Sequence, residues 1–533
     1  MGIPSYFSYI IKNYPNILKK FQKNFSQKEK IFNNLFLDSN SIIYDSMREI
    51  EYKNNDNNTF ERNLISAVCK KIEDYIQQIS PNELVYIAFD GVAPVAKLNQ
   101  QKNRRYKSWF INNYDSTDKN KWDSTAITPG TEFMNKLNLQ IKYHFRLPKK
   151  YKVNKIIVSG SDEPGEGEHK IFQHIRDNSN TLLNDETVIY GLDADLIMLT
   201  INHLQYNSNM YLFRETPDFI KSVDKSLDPN CLYMIDIPMF KNNMVLYLNN
   251  DVEPTTIVEN NRVFDYIFIC FLLGNDFLPH FPALNIRSNG MDIVLETYRN
   301  VIGNKSKNLI NNNKIIWKNV RLLIQELGKN EEDNIKNEYK IRNKMEKRNI
   351  KFDDNTSKFD KEMLYAPSKE REVEKYINPY DDYWEARYYD MLHDIHYKDE
   401  EKMKKLCLNY VEGLEWTFKY YSTGCVDWRW SYNYHYPPLL KDLLKYIPYF
   451  DGDILNIKEK NPVTELVQLS YVLPKNSLYL LPTKIEHTLL SEYINNYKTD
   501  YEFQWAFCKY FWECHVEFPD ISIEDIESVI NHH

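Results

Sequence analysis

The 533-residue sequence contains no C-x-x-C pair. Its seven cysteines, at positions 69, 231, 270, 407, 425, 508 and 514, are odd in number and widely scattered, which suits neither a disulfide framework nor a zinc site. A reducing compartment is the expected setting, cytoplasmic or nuclear, with the cytoplasm favoured. Long apolar runs are absent too. The longest, such as YIFICFLLG at Tyr266 to Gly274, fall far short of the roughly 20 residues needed to span a bilayer, so no transmembrane helix and no membrane partner is expected. The opening MGIPSYF has neither a charged nor an apolar leader region, and Tyr6 stands where a myristoylation signal needs Ser or Thr. This reads as a soluble, unprocessed chain. Basic excess is missing as well: 67 Lys plus Arg face 75 Asp plus Glu, a net charge of −8, which argues against a nonspecific nucleic-acid coat. Any polyanion site must be local. No repeat of fixed period is apparent, and no basic run marks nuclear import.

What is present points to a folded, multi-domain protein. Apolar residues make up 42% and aromatics 14%, with forty Tyr, whereas disordered chains are poor in aromatics. The length exceeds what one core usually fills. Over the first 300 residues, short β-like runs alternate with helix-like stretches, which predicts βα units and a largely parallel sheet. Four of these runs end in carboxylate: NNLFLD at Asp38, LVYIAFD at Asp90, KIIVSGSDEPGEGE at Glu166 and Glu168, and TVIYGLDAD at Asp193 and Asp195. A fifth run, in RVFDYIFICFLLGND, has helical length and stops at Gly274, just before Asn275 and Asp276. In open α/β sheets, sites form beyond the carboxyl ends of the strands, so seven acids far apart in sequence can share one crevice.

Taken singly, an Asp at a strand end is more often a helix N-cap or turn residue. GEGEHK and GLDADL are stronger signals, because acids two apart on an extended segment face one side and Gly165, Gly167 and Gly191 allow close approach. Seven crowded carboxylates need neutralising. Hard divalent ions with oxygen ligands do this, and two of them together promote in-line phosphoryl displacement. The acids therefore predict a two-metal phosphodiesterase.

A basic stretch lies beside Asp90. In DGVAPVAKLNQQKNRRYKSW, a helix after Pro94 would put Lys97, Gln101, Arg104 and Arg105 at i, i+4, i+7 and i+8, on one face. A charge run is usually a solvated face. Next to a metal site, this one suggests a receptor for a terminal phosphate, for which Arg offers bidentate geometry. From about Ile302 to Lys375 the sequence turns polar and mixed in charge, and reads as exposed helix and flexible linker.

The chain resembles the XRN family of 5′-to-3′ exoribonucleases. The resemblance rests on MGIPSYFSYI, LFLDSNSIIYD, YIAFDGVAPVAKLNQQKNRRYKSW, ITPGTEFM, VSGSDEPGEGEHKI, YGLDADLIML and FICFLLGNDFLPHFP, which stand in the family's order. GLEWTFKYYSTGCVDWRWSYNYHYPP and PVTELVQLSYVLP resemble its second region. The match covers both halves of the nuclease core and stops short of the long C-terminal extension of the large members. It implies a PIN or flap-nuclease-like α/β core over residues 1–301, a charged helical or linker segment over 302–376, and a helix-rich second region over 377–533 that packs on the core and completes the pocket.

The resemblance also implies an activity: processive, two-metal hydrolysis of 5′-monophosphorylated single-stranded RNA to nucleoside 5′-monophosphates, in RNA decay or processing. Two Mg2+, replaceable by Mn2+, fall to Asp38, Asp90, Glu166, Glu168, Asp193, Asp195 and Asp276. The 5′-phosphate falls to Lys97, Gln101, Arg104 and Arg105. The first base stacks on Tyr44, where the family usually has His, and on Trp428 or Trp430. Ser41 replaces a usual Gly, and Val95 and Lys102 replace usual Arg, which implies a weaker basic rim. A monomer is expected. The rivals are a flap-endonuclease-like DNA nuclease, against which the phosphate patch and second region argue, and a non-catalytic RNA-binding scaffold, against which the full set of acids argues.

Overall fold

The computed structural model describes residues 3, 5–21, 31–52, 56–114, 121–215, 225, 227–228, 231–305, 307–354, 356–499, 501–517, 519 and 521–532. Met1, Gly2 and Pro4 of the opening motif lie outside these. Seven strands form one sheet: β1 Leu18–Phe21, β2 Asn34–Asp38, β3 Leu84–Ala88, β4 Lys155–Ser159, β5 Glu186–Tyr190, β6 Asn209–Arg214 and β7 Leu232–Asp236, in the order β1-β7-β6-β5-β2-β3-β4. The five strands from β4 to β6 in that order are parallel, and β7 and β1 add an antiparallel edge. The expected mostly parallel sheet is therefore what forms.

The sequence explains why. Helices cover both faces, so the central strands are apolar on both sides. Phe36, Tyr86 and Ile189 pack into the core on one face, while Leu35, Leu37, Val85, Ile87, Val188 and Tyr190 pack into the core on the other. The crossovers between parallel strands carry the Asn57–Ile79, Val95–Tyr114, Gly167–Asp177 and Asp195–Asn202 helices. Asp56 accepts the Thr59 amide at the first of these, supplying its N-cap. The strand order reverses at β2, which pairs with β3 on one side and β5 on the other. Such a switch point opens a crevice at the carboxyl ends. Asp38 is the last residue of β2.

Residues 302–376 correct the expectation of a flexible linker. The Trp317–Lys329 helix buries Trp317, Val320, Leu323, Ile324 and Leu327 in the same core as the sheet. Their spacing is an amphipathic stripe that the surrounding charges mask in composition. Some of the charges are themselves buried: Glu374 accepts from Arg342 Nε at 2.7 Å, from Arg371 Nε at 2.6 Å and from the Phe507 amide at 2.8 Å. Breaking a buried ion cluster by removing one partner leaves uncompensated charge. Glu374→Ala should therefore cost about 3–5 kcal/mol in denaturant unfolding, and a loss within the roughly 0–1 kcal/mol range of surface pairs would contradict this.

The second region closes on the Val95–Tyr114 helix. The Val95 amide donates to Trp428 O at 3.0 Å and the Ala93 amide to Gln468 Oε1 at 2.9 Å. Past the middle of the helix, Lys107 Nζ donates to Trp512 O and Cys514 O at 2.7 and 2.8 Å. All seven cysteines are free thiols. Among the described residues, no helix is long and apolar enough to cross a membrane.

Candidate active site

The seven acids gather at the carboxyl edge of the sheet. Asp38 ends β2, Asp90 lies two residues past β3, Glu166 and Glu168 open the helix after β4, and Asp193 and Asp195 open the helix after β5. Asp276 follows the Thr256–Cys270 helix and the 3-10 turn Phe271–Leu273. Their electrostatics join them into one cluster. Burial raises the pKa of Asp38, and the charges of Asp90, Asp193 and Glu166 add to it. Glu168 is raised by burial and by Glu166, Asp195 and Asp193. Asp195 is pushed up to about 7 by burial, with Asp276 the next cause. Asp193 is the exposed member of the cluster.

Gly167 makes the crowding possible. Its amide donates to Asp90 Oδ1 at 2.7 Å, and a Cβ there would fall 2.7 Å from Asp38 Oδ1. Gly165 just before it takes φ +105°, a conformation that favours glycine. One expectation is corrected here. Glu166 and Glu168 do not share an extended segment, because the helix begins at Gly167, and Glu168 lies in its first turn. Helix N-termini favour negative charge, and Asp195 begins a helix in the same way.

Lys97, Gln101, Arg104 and Arg105 do lie on one face of a helix, Val95–Tyr114, but the structure divides their surroundings. Lys97 reaches into the acids: its Nζ is 2.6 Å from Glu166 Oε2 and 2.7 Å from Asp276 Oδ2. Although burial opposes it, the Lys97 charge holds the Asp276 pKa below the usual carboxylate value. Arg105 donates to Thr128 Oγ1 at 2.6 Å, and burial pulls its pKa down to about 10. Tyr44 is near enough to act on the Arg105 charge. Arg104 is exposed, and Gln101 is buried. Lys102 is not part of a basic rim: it is 1% exposed, with its ammonium 4.4 Å from the centre of the Tyr471 ring. Val95 likewise packs among apolar residues of the second region.

Of the two candidate stacking tryptophans, Trp430 is in the core, 5% exposed and stacked on Trp416 at 5.0 Å. Trp428 is half-buried, and its carbonyl is the acceptor that fixes the start of the Val95–Tyr114 helix.

Other residues of the site carried no signal that spacing could reveal. Tyr420 donates its hydroxyl to Glu166 Oε1 at 2.7 Å and stacks on His169 at 3.7 Å. Asn40 accepts the Asp90 amide at 3.0 Å and donates back to its carboxylate. Lys170 Nζ donates to Phe89 O at 2.9 Å and Gly160 O at 2.6 Å, tying the ends of β3 and β4 together. Lys170 stands inside GEHK and Tyr420 inside EWTFKYY, yet Phe89 and Glu166, which they hold, are 81 and 254 residues away in sequence.

As the chain stands, no group of three or more His, Cys, Asp or Glu among the described residues is arranged to hold a metal ion. The Lys97 ammonium stands between two of the acids instead. The donor set nevertheless fits a hard divalent cation, since every donor is a carboxylate oxygen. Glu168 Oε2 and Asp195 Oδ1 are buried without a hydrogen-bond partner, a costly state that a cation would relieve.

Comparison with known proteins places this geometry. Residues 1–216 match the family model described as the XRN 5′-3′ exonuclease N-terminus, and residues 257–383 and 353–528 match the Xrn1 helical domain. The chain is 28% identical to 5′-3′ exoribonuclease 1 of Saccharomyces cerevisiae, over 92% of this chain and 40% of that protein. It is 26% identical to the 5′-3′ exoribonuclease 2 homolog of Drosophila melanogaster, over 96% of this chain and 69% of that one. It is 27% identical to human 5′-3′ exoribonuclease 1, over 94% and 32%. The chain thus spans about two fifths of the length of the yeast relative. Both family regions are matched, and in the structure they meet where Tyr420 of the second holds Glu166 of the first: the chain belongs to the XRN family of 5′-3′ exonucleases.

Proposed function

We propose that the chain is a 5′-to-3′ exoribonuclease that removes nucleoside 5′-monophosphates processively from 5′-monophosphorylated single-stranded RNA, in RNA decay or processing. One observation carries this reading: Lys97 belongs at once to the cationic helix face and to the acid cluster, so a phosphate held by that face lies beside the carboxylates. The named relatives are 5′-3′ exoribonucleases.

In this reading, Asp38, Asp90, Glu166, Glu168, Asp193, Asp195 and Asp276 hold two Mg2+, or Mn2+ in their place. Bound there, the ions supply an activated water and charge stabilisation for the leaving oxygen. The chain's own groups do the rest. Lys97, Gln101, Arg104 and Arg105 receive the 5′-phosphate and set the register of the next phosphodiester. Asn40 and the Gly167 amide hold Asp90, and Tyr420 holds Glu166, so that the carboxylates do not swing. Water attacks the phosphorus between the first and second nucleotides, and the 3′-oxygen leaves. The shortened RNA carries a fresh 5′-monophosphate, which suits the same receptor.

Tyr44 and Trp428 are the proposed stacking pair. Stacking on an aromatic ring contributes roughly 1–3 kcal/mol per base. Tyr44→Ala should therefore slow degradation of long RNA and shorten its processive runs, while Tyr44→His should be mild. Normal rate and processivity in Tyr44→Ala would make Tyr44 a packing residue only.

The test of the activity is to incubate the protein and Mg2+ with 5′-monophosphorylated RNA and with DNA of the same sequence, then resolve the products. Mononucleotides from RNA alone are expected. Oligonucleotide fragments, or equal cleavage of DNA, would favour a flap-endonuclease-like enzyme.

A further inference from the structure

We propose that Lys97 is an internal counter-cation that keeps Glu166 and Asp276 engaged until a 5′-phosphate draws it away, so that reading of the RNA end and completion of the metal site are one coupled event. The inference rests on the metal-dependent reading above and names a regulation of that same site.

Lys97 Nζ bridges Glu166 Oε2 and Asp276 Oδ2 at 2.6 and 2.7 Å, with its side chain 11% exposed and theirs 6% and 5%. The ammonium thus occupies the position of a cation between two acids that come from different parts of the sequence. The other oxygen of Glu166 is taken by Tyr420. While the bridge persists, neither Glu166 oxygen faces a second cation unencumbered.

The same helix face offers Lys97 an alternative partner. Gln101 lies one turn on and Arg105 two turns on, and Arg105 Nε is buried without a hydrogen-bond partner. A phosphate seated there would meet a donor already desolvated and aimed. The helix itself need not move, because its first amide is fixed to Trp428 O and Lys107 anchors it beyond Arg105. Only the four-carbon stem of a lysine has to swing, and its head is a compact point charge that suits either partner.

The energetics make the two events interdependent. Withdrawing Lys97 alone would take the ammonium away from two buried carboxylates, and breaking a buried pair in this way is strongly destabilising. Seating a phosphate without Lys97 would leave it short of one cation. The exchange is balanced only when both happen: the carboxylates trade an ammonium for a divalent ion, and the ammonium trades carboxylates for phosphate. Such coupling is reciprocal, so phosphate must tighten the metal by the same factor that metal tightens phosphate. An RNA with a 5′-hydroxyl would leave Lys97 in place.

The test reads metal binding without turnover. Mn2+ is titrated into the full chain, with free Mn2+ followed by electron paramagnetic resonance. The titration is run alone, with a 5′-phosphorylated ribotrinucleotide whose first linkage is a non-hydrolysable methylene analogue, and with its 5′-hydroxyl twin. In the wild type the phosphorylated probe should tighten Mn2+ by about tenfold over the twin, within the usual range of coupled sites. Without any probe, Lys97→Met should bind Mn2+ about tenfold more tightly than the wild type and should lose the difference between probes, while Lys97→Arg should retain the bridge and bind no more tightly than the wild type. Equal Mn2+ affinity with the two probes in the wild type overturns the proposal, whatever the variants do. Weaker binding in Lys97→Met than in the wild type overturns it too. If Mn2+ binds equally with both probes, the metal reading survives and only the coupling falls; if it binds in no form of the protein, both fall.

Discussion

Glu166→Gln and Asp193→Asn are each expected to abolish hydrolysis while leaving RNA binding largely intact. Glu166 is 4% exposed and held by Tyr420 and Lys97, so the amide replaces the carboxylate without opening a cavity. What is lost is one negative charge from a set proposed to hold divalent cations. Changes to groups that merely orient metal ligands cost 10–100-fold, so if these acids hold the metal as proposed, the loss of one should cost at least about a hundredfold. Asp193 tests the exposed end of the cluster and Glu166 the buried end. Stability should move the other way. Burial and the neighbouring acids raise the pKa of Glu168, so its charged form is disfavoured by the fold, and Glu168→Gln should lose activity without lowering the melting temperature. Sites that break local rules for function commonly behave so. Near-normal turnover in Glu166→Gln or Asp193→Asn would contradict the assignment.

The second large effect concerns the 5′ end. Hydrogen bonds to a charged group contribute about 1.5–3 kcal/mol each, so Arg104→Ala or Arg105→Ala should slow degradation of 5′-monophosphorylated RNA on the order of tenfold to a hundredfold. The same variants should lose much less on 5′-hydroxyl RNA, which has no phosphate to release. Arg105 should show the larger effect. It is the more buried of the two, is positioned by Thr128 and keeps one donor unpaired, whereas Arg104 is exposed and screened. Initial rates on paired RNAs that differ only at the 5′ end decide the matter: equal losses on both would reduce the face to nonspecific electrostatics. Lys102 is a poor control for such an experiment, because it is buried against Tyr471 and its replacement would disturb packing.

Much of this arrangement was legible before the structure, and the reasons are physical. Apolar runs ending in Asp reveal β2, β3 and β5, since a strand buried on both faces must be continuously apolar and its loop must carry the polar chemistry. The parallel order then gathers the acids without any knowledge of distances. The edge strand β1 carries no such run, since LKKF sets two lysines side by side between its apolar ends. The helices of 302–376 match the sequence reading, but their burial does not show in composition, which averages over a helix and hides the stripe from Trp317 to Leu327 and the buried Arg342–Glu374–Arg371 cluster. Helical periodicity put Lys97 on the correct face but said nothing of where its long stem points. Its partners Glu166 and Asp276 are set by tertiary contact, as are those of Lys102 and Tyr420. Of the two tryptophans in DWRW, only packing separates the core member, Trp430, from Trp428.

The most direct test of the central claim uses one RNA with a 5′-monophosphate and a distinguishable label at each end, followed over time with Mg2+ and with excess chelator. With Mg2+, the 5′ label should appear at once as nucleoside 5′-monophosphate, while the 3′ label stays in long RNA until the strand is consumed. With chelator, neither label should move. Release of the 3′ label first, internal fragments, or undiminished degradation in chelator would contradict the account.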